Sequence, residues 1–199
     1  KNVGPGIENN VIGTEILLEE IVKATSVLKF VLVSSDKAVR PTNVMGATKR
    51  LAELLVMRAA REHPTTRFGI VRFGNVVGSS GAVALKFLHQ IKTGRDVTVS
   101  HCDVIRFFMT PNEASDLILL CSLISKRGEV YLLDMGDPIK ILDLAKQLVN
   151  SCGRKVSSST DIKTTKIVFS GLGVGEKMYE ELLINEGSRH EKYARIFLG

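Results

Sequence analysis

Apolar positions along this chain fall into two alternating rhythms. Over Asn10 to Ala24, Val11, Ile12, Glu15, Ile16, Glu19 and Val22 make the amphipathic mix of a helix. KFVLVSS follows, a short β-branched run of the kind found in buried parallel strands. Pro41-Thr42-Asn43 supplies turn and capping chemistry ahead of a long helix, whose buried stripe is predicted at Ala47, Leu51, Leu54 and Leu55. A strand over Arg67 to Val76 comes next, then a helix over Ala82 to Lys92 ended by Gly94. Asp96 to Ser100 reads as a strand, and Pro111 to Ser125 as a helix with proline at its start. Glu129 to Leu133 is a strand and Ile139 to Asn150 a helix stopped near Gly153. Lys163 to Phe169 is a strand and Glu176 to Ile184 a last helix.

Strands alternating with helices predict an α/β protein with a mainly parallel sheet. The chain opens on a Gly/Pro-containing loop that leads straight into a helix, with no strand before it. A dinucleotide fold needs a first strand, a glycine-rich turn and a helix whose N-terminus faces the pyrophosphate. KIVFSGLGVGEKMYEELL offers Gly171, Gly173 and Gly175 between strand and helix, but Glu176 stands where the fingerprint needs glycine. That segment reads as a turn shaping another site. The SSST patch at Ser157 to Thr160 reads as a surface loop.

Composition narrows the function classes. The 199 residues are 44% hydrophobic and 24% charged, ordinary values for a globular protein. The net charge of +6 is scattered, with no basic block interleaved with aromatics and no tryptophan. That argues against nucleic acid and for an anionic small molecule or a solvated surface. Cys102, Cys121 and Cys152 are odd in number and far apart, which points to a reducing, cytoplasmic setting. His63, His89, His101 and His190 show no metal-ligand spacing. The longest apolar run, Leu117 to Ile124, falls short of the ~20 residues of a membrane span.

Five segments, in this order, resemble the CapD-like polysaccharide biosynthesis family: VLVSSDKAVRPTNVMGATKRLAELL, RFGNVVGSSGAVALKF, VIRFFMTPNEASDLILL, VYLLDMGDPIKILDLAKQL and GVGEKMYEELL. These are extended short-chain dehydrogenase/reductase enzymes typified by UDP-N-acetylglucosamine 4,6-dehydratases. The resemblance implies a Rossmann domain holding NAD or NADP and a smaller C-terminal substrate domain for a UDP-sugar. By that comparison residues 1–76 are the second part of the cofactor domain, without its N-terminal glycine-rich loop. Residues 77–199 are mainly substrate domain, interleaved with the Rossmann sheet. The chain is then expected to be a fragment of a larger protein, with any membrane anchor on the missing part; a homo-oligomer is compatible.

The implied chemistry needs three proton transfers: from the sugar 4-hydroxyl, from C5, and to the departing 6-hydroxyl. Each calls for a positioned acid or base. Read alone, Asp36-Lys37 after a strand is a solvated turn; within this motif, Asp36 is the acid for the leaving hydroxyl and Lys37 the base at C5, a role that requires burial and the nearby cation Lys49 to lower its pKa. The resemblance places Lys49, with Ser34, at the cofactor, and Met45, Asn75, Arg106 and Glu176 at the substrate. Met45 stands one helical turn before Lys49, where such enzymes usually carry tyrosine. One branch of the family has methionine there, which leaves Ser35 as hydroxyl relay and Asp36 as proton sink. Ser79, Ser80 and Gly81 could open an anion-binding helix or serve as a plain cap. Gly173-Val174 replaces the family's usual Arg-Pro, which puts the UDP contact in doubt. An epimerase on a UDP-sugar and a non-catalytic binding or assembly module are the competing readings.

Overall fold

The computed structural model describes residues 3–24, 26–79, 81–157, 164–181, 190–193 and 195–199. In chain order its α-helices are α1 (Val3–Ile7), α2 (Gly13–Lys23), α3 (Val44–Glu62), α4 (Val83–Lys92), α5 (Pro111–Ile124) and α6 (Ile141–Ser151). The strands are β1 (Lys29–Val33), β2 (Arg67–Arg72), β3 (Asn75–Val76), β4 (Val97–Val99), β5 (Ile105–Arg106), β6 (Phe108–Met109), β7 (Glu129–Leu133), β8 (Ile139–Lys140), β9 (Lys155–Val156), β10 (Thr164–Thr165), β11 (Ile167–Phe169), β12 (His190–Tyr193) and β13 (Ile196–Leu198). They divide into two compact units. The first comprises Lys1–Gly74, Asn112–Asp134 and Glu181–Gly199, and the second Asn75–Pro111 and Met135–Glu180.

The first unit carries the main sheet, in the order β1-β2-β7-β13-β12. β1, β2 and β7 are parallel, as their apolar runs predict; β13 is antiparallel to β7, and β12 to β13. Its core joins Leu18 and Ile21 of α2 to Val56, Ala59 and Ala60 of α3 over Phe68, Ile70, Val130 and Leu132 of the sheet. Asn43 caps α3 as its residue type predicts, its side chain accepting from the Gly46 N–H at 2.9 Å.

Two expectations for this unit are corrected. The opening segment is helix and not loop: α1 runs through a π turn at Glu8–Ile12 into α2. Pro5 is tolerated because an N–H in the first turn has no acceptor within the helix. The buried face of α3 is also not the leucine stripe. Leu51 and Leu54 are 50% and 43% exposed, whereas Thr48, Ala52, Glu53, Val56, Ala59 and Ala60 are buried. Small residues win that face because the helix lies close to the sheet layer; a Cβ on Gly128, before β7, would sit 2.9 Å from the Ala60 Cβ.

The second unit packs α4 and α6 around β4 and β11, with Phe87, Ile91, Val97, Val99, Val104, Ile141, Ala145 and Val149 as its core. β4 pairs with β11 and β3 with β6 in parallel, β5 with β8 antiparallel, and β9 with β10 in parallel. The strand expected over Arg67 to Val76 therefore breaks, its last two residues pairing with Phe108 and Met109. The helix expected from Ile139 begins at Ile141 because Ile139 and Lys140 pair with β5.

A further correction falls at Glu176, which opens no helix: residues 176–181 are irregular, and 182–184 lie outside the described residues. The carbonyls a helix would use are taken elsewhere. Met178 O accepts from the Ile105 N–H at 3.2 Å, and Lys177 O from Arg106 Nη2 at 2.7 Å. Lys163, Ser80 and most of the SSST patch also lie outside the described residues.

Candidate active site

The pairing of β1 with β2 outlasts β1 itself. Ser34 N–H reaches Val71 O at 2.7 Å and Asp36 N–H reaches Phe73 O at 3.1 Å, so the chain leaves the sheet as a held turn. Ser35, extended at φ −148°, caps a single 3-10 turn over Asp36–Ala38 with its side chain. The first turn of α3 presses on it from outside. A Cβ at Gly46 would lie 2.2 Å from the Lys37 carbonyl oxygen, so only glycine permits this approach.

Within the turn the three expected reacting residues meet. Asp36 is 0% exposed. Its Oδ1 accepts from Ser35 Oγ, from the Lys37 N–H and from Lys37 Nζ, each at 2.8 Å. Its Oδ2 is buried and has no hydrogen-bond partner among the described residues. A buried carboxylate with one saturated and one orphan oxygen is costly unless a further donor completes it. The arrangement gives a hydroxyl, a carboxylate and an ammonium in one hydrogen-bonded chain, with an acceptor aimed elsewhere.

Lys49 projects from α3 onto the same strand end, its Nζ donating to Val33 O at 3.1 Å. Burial pulls its pKa below the usual lysine value, while the charge of Glu53 pulls the other way. Met45, one turn earlier, is exposed. Ser34 is buried, and its Oγ donates inward to Glu53 Oε1 at 2.7 Å.

Glu53 is the residue the sequence reading missed. It is 0% exposed. Besides Ser34 it accepts Arg72 Nε on Oε1 at 2.7 Å, and on Oε2 Arg72 Nη2 at 2.6 Å and Arg50 Nη1 at 2.8 Å. Burial alone would push its carboxyl up; the bonds and charge of Arg72, with Ser34 and Arg50, outweigh that and hold it below the usual carboxylate value. The available signal was Arg72, a charge ending a strand whose preceding four residues, Phe68 to Val71, are apolar and buried. Such a cation needs a partner.

The second unit holds Asn75, Arg106 and Glu176. Asn75 Nδ2 donates to Phe107 O at 3.0 Å. Arg106 and Glu176 pair directly at 3.4 Å, and Glu176 also accepts from Ser100 Oγ at 2.8 Å and the Gly173 N–H at 3.1 Å. Arg106 Nη1 binds Ile105 O and Met178 O, while Nη2 binds Lys177 O as well as Glu176. Both Nη atoms of its fork are thus engaged by the chain itself. Nearby in sequence, His101, Cys102 and Asp103 bring their ligand atoms within 4.8 Å of one another, which spacing rules do not find. Their acceptors are engaged: His101 Nδ1 accepts the Asp103 N–H at 3.2 Å, and Lys140 Nζ lies 3.6 Å from Asp103 Oδ1.

The family model described as polysaccharide biosynthesis protein matches residues 1–199. The chain belongs to that family. It is 47% identical over all 199 residues to the capsular polysaccharide biosynthesis protein CapD of Staphylococcus aureus, of which it covers 32%. The X-ray structure of Pen from Bacillus thuringiensis superposes with a TM-score of 0.84 at 35% identity, over 95% of this chain and 58% of that one. A dTDP-glucose 4,6-dehydratase from Bacillus anthracis, solved in complex with NAD, shares the fold with a TM-score of 0.71 at 17% identity, over 84% of this chain and 58% of that one. The fold is accordingly of the α/β, Rossmann type. The chain spans about a third of the length of its curated relative CapD. No helix among the described residues is long and apolar enough to cross a membrane.

Proposed function

We propose that the protein serves as an NAD(P)-dependent nucleotide-sugar 4,6-dehydratase of the UDP-N-acetylglucosamine type, in surface polysaccharide or glycan biosynthesis. The observation that carries this reading is the Ser35–Asp36–Lys37 chain with the orphan Oδ2 of Asp36. Lys49 fits a dinucleotide, being a half-buried ammonium at the carboxyl end of parallel strands, where such folds hold their ligands. It would hold the nicotinamide ribose, and Ser34 would fix the strand end beside it. When bound, NAD or NADP supplies a hydride acceptor for sugar C4 and a hydride donor for C6.

The chain's own residues then move protons. Ser35 passes the 4-hydroxyl proton to Asp36, which removes the need for a tyrosine at Met45. Lys37, acting in its neutral amine form, takes the C5 proton, and Asp36 returns its proton to the departing 6-hydroxyl, so water leaves. Lys37 later gives a proton back to C5, which restores both residues. In the second unit Asn75, Glu176 and the remaining Nε–H of Arg106 are the groups for the uridine diphosphate end.

Product analysis in deuterium oxide, on the longer protein that includes the cofactor loop, with UDP-N-acetylglucosamine and NAD or NADP, tests this. The parent protein should incorporate deuterium at C5 and Lys37→Met should not. Asp36→Asn should lower turnover about 100-fold or more, the scale of a lost acid–base group. Met45→Leu should keep most activity, since it conserves volume and removes no proton-transfer group. Inversion at C4 without loss of water would replace this reading with an epimerase, and indifference to all three substitutions with a non-catalytic module.

A further inference from the structure

We propose that Glu53 is the positioning residue that holds the Ser34–Lys37 turn and Lys49 in register, by tying α3 to the carboxyl ends of β1 and β2 through one buried carboxylate. This deepens, and for its catalytic meaning rests on, the reading of Ser35, Asp36 and Lys37 as reacting groups. The geometry is independent of that reading. Four donors from three places converge on the Glu53 carboxylate: Ser34 after β1, Arg72 ending β2, and Arg50 on α3 itself. The Glu53 oxygens are thereby fully used, so the group acts through other residues and presents nothing to a substrate.

The position of each donor explains what is held. Ser34 is the residue before Ser35, whose hydroxyl binds Asp36. Fixing the Ser34 side chain inward sets Ser35 to the opposite side of the extended backbone, where its hydroxyl binds Asp36. Arg72 precedes Phe73, whose carbonyl accepts the Asp36 N–H at 3.1 Å. The same carboxylate therefore steadies both strands from which Asp36 hangs. On the helix, Glu53 lies one turn after Lys49, and Lys49 Nζ independently grips Val33 O at 3.1 Å. α3 is thus bolted to the end of β1 at two successive residues, Val33 and Ser34.

Glu53 also acts on Lys49 through charge. Burial lowers the Lys49 pKa, and the one charged group that opposes this among the described residues is Glu53. Neutralising Glu53 removes the opposition. The lysine should then lose its proton at a lower pH than in the parent.

The test reads the protein without requiring turnover. Competitive acetylation across pH, followed by mass spectrometry, reports the Lys49 titration. Amide hydrogen exchange at Ser34 and Asp36 reports the turn. Glu53→Gln should move the Lys49 midpoint to lower pH and speed exchange at both amides by about tenfold or more, the scale of losing a hydrogen bond to a charged group. Should Glu53→Gln not fold, Ser34→Ala isolates the link: turn exchange should rise similarly while the Lys49 midpoint stays put. Glu53→Asp, which keeps the charge, should restore the midpoint and only part of the protection. A folded Glu53→Gln or Ser34→Ala protein with parent-like exchange at Ser34 and Asp36 overturns the proposal. Turnover of Ser34→Ala then separates the two readings. A fall in kcat at unchanged KM supports both, whereas faster exchange with unchanged turnover supports the positioning role and refutes the catalytic reading of the turn.

Discussion

Replacing Gly46 by alanine should unsettle the fold and the reacting turn together. The new methyl would meet the Lys37 carbonyl oxygen at 2.2 Å and the Pro41 Cβ at 3.1 Å. A carbon and a carbonyl oxygen need about 1 Å more than the first of these, so the helix start or the turn must shift by that much. Neither moves freely. The Gly46 N–H is held by Asn43, and the turn by the Asp36–Phe73, Ala38–Ser35 and Val39–Asp36 backbone bonds. Overpacking of this kind costs about 1–3 kcal/mol, and spoiling one of those bonds adds about 1 kcal/mol. Alanine's better helix propensity returns about 1 kcal/mol. The net loss is about 1–3 kcal/mol, read as a lower urea midpoint at unchanged m-value. Gly6→Ala is the control, because its methyl meets nothing within 4 Å in α1, and it should be neutral or stabilising. Gly46→Ala as stable as the parent, with the Asp36 amide equally protected, would refute the close approach of α3 to the turn.

Three further outcomes follow from groups described above. Glu53→Gln should cost roughly 3–5 kcal/mol by leaving Arg72 buried and uncompensated. Because the folded Glu53 pKa lies below the unfolded value of about 4.3, its stabilisation is present above that pH and fades as pH falls through the lower folded value; urea titrations should show a weaker acid dependence in the variant. Cys121, buried and with its thiol pushed up to about 12 by burial, should resist iodoacetamide at pH 8 while exposed Cys152 reacts. Arg106→Ala should release residues 176–178, raising exchange at the Ile105 amide about tenfold through loss of charge-assisted bonds around Met178.

Punctuation was easy to read from the sequence, and the facing of helices was not. Asn43, Pro111, Gly94 and Gly153 mark boundaries by backbone chemistry that needs no knowledge of neighbours, and the elements start or stop where they stand. The buried side of α3 depends on how near the sheet layer comes. Leucines signal burial only where there is room for them, and Ala52, Ala59 and Ala60 take the face because there is little. The end of the chain failed for another reason. Glu176 and its successors have helical composition, but Ile105 and Arg106 claim their carbonyls, and that competition is not local in sequence. In the site, Ser35, Asp36 and Lys37 are consecutive and hence legible. Glu53 was not, since a glutamate on a long helix reads as solvent-facing until Arg72 and Ser34 are known to stand beneath it.

The continuation of strand pairing beyond Val33 has a bearing on how variants of this protein can be built. Segments after strands are the usual places to graft, lengthen or randomise, because their backbones answer to few constraints. Here the stretch from Ser34 to Val39 is already spoken for: Ser34 and Asp36 are laced to Val71 and Phe73, and Val39 closes back on Asp36. An insertion between Val33 and Ala38 would slide the reacting side chains off the lattice that aims them. Pro41, by contrast, has no N–H to be laced and is exposed. Libraries meant to alter specificity without dismantling the turn should therefore begin at position 41.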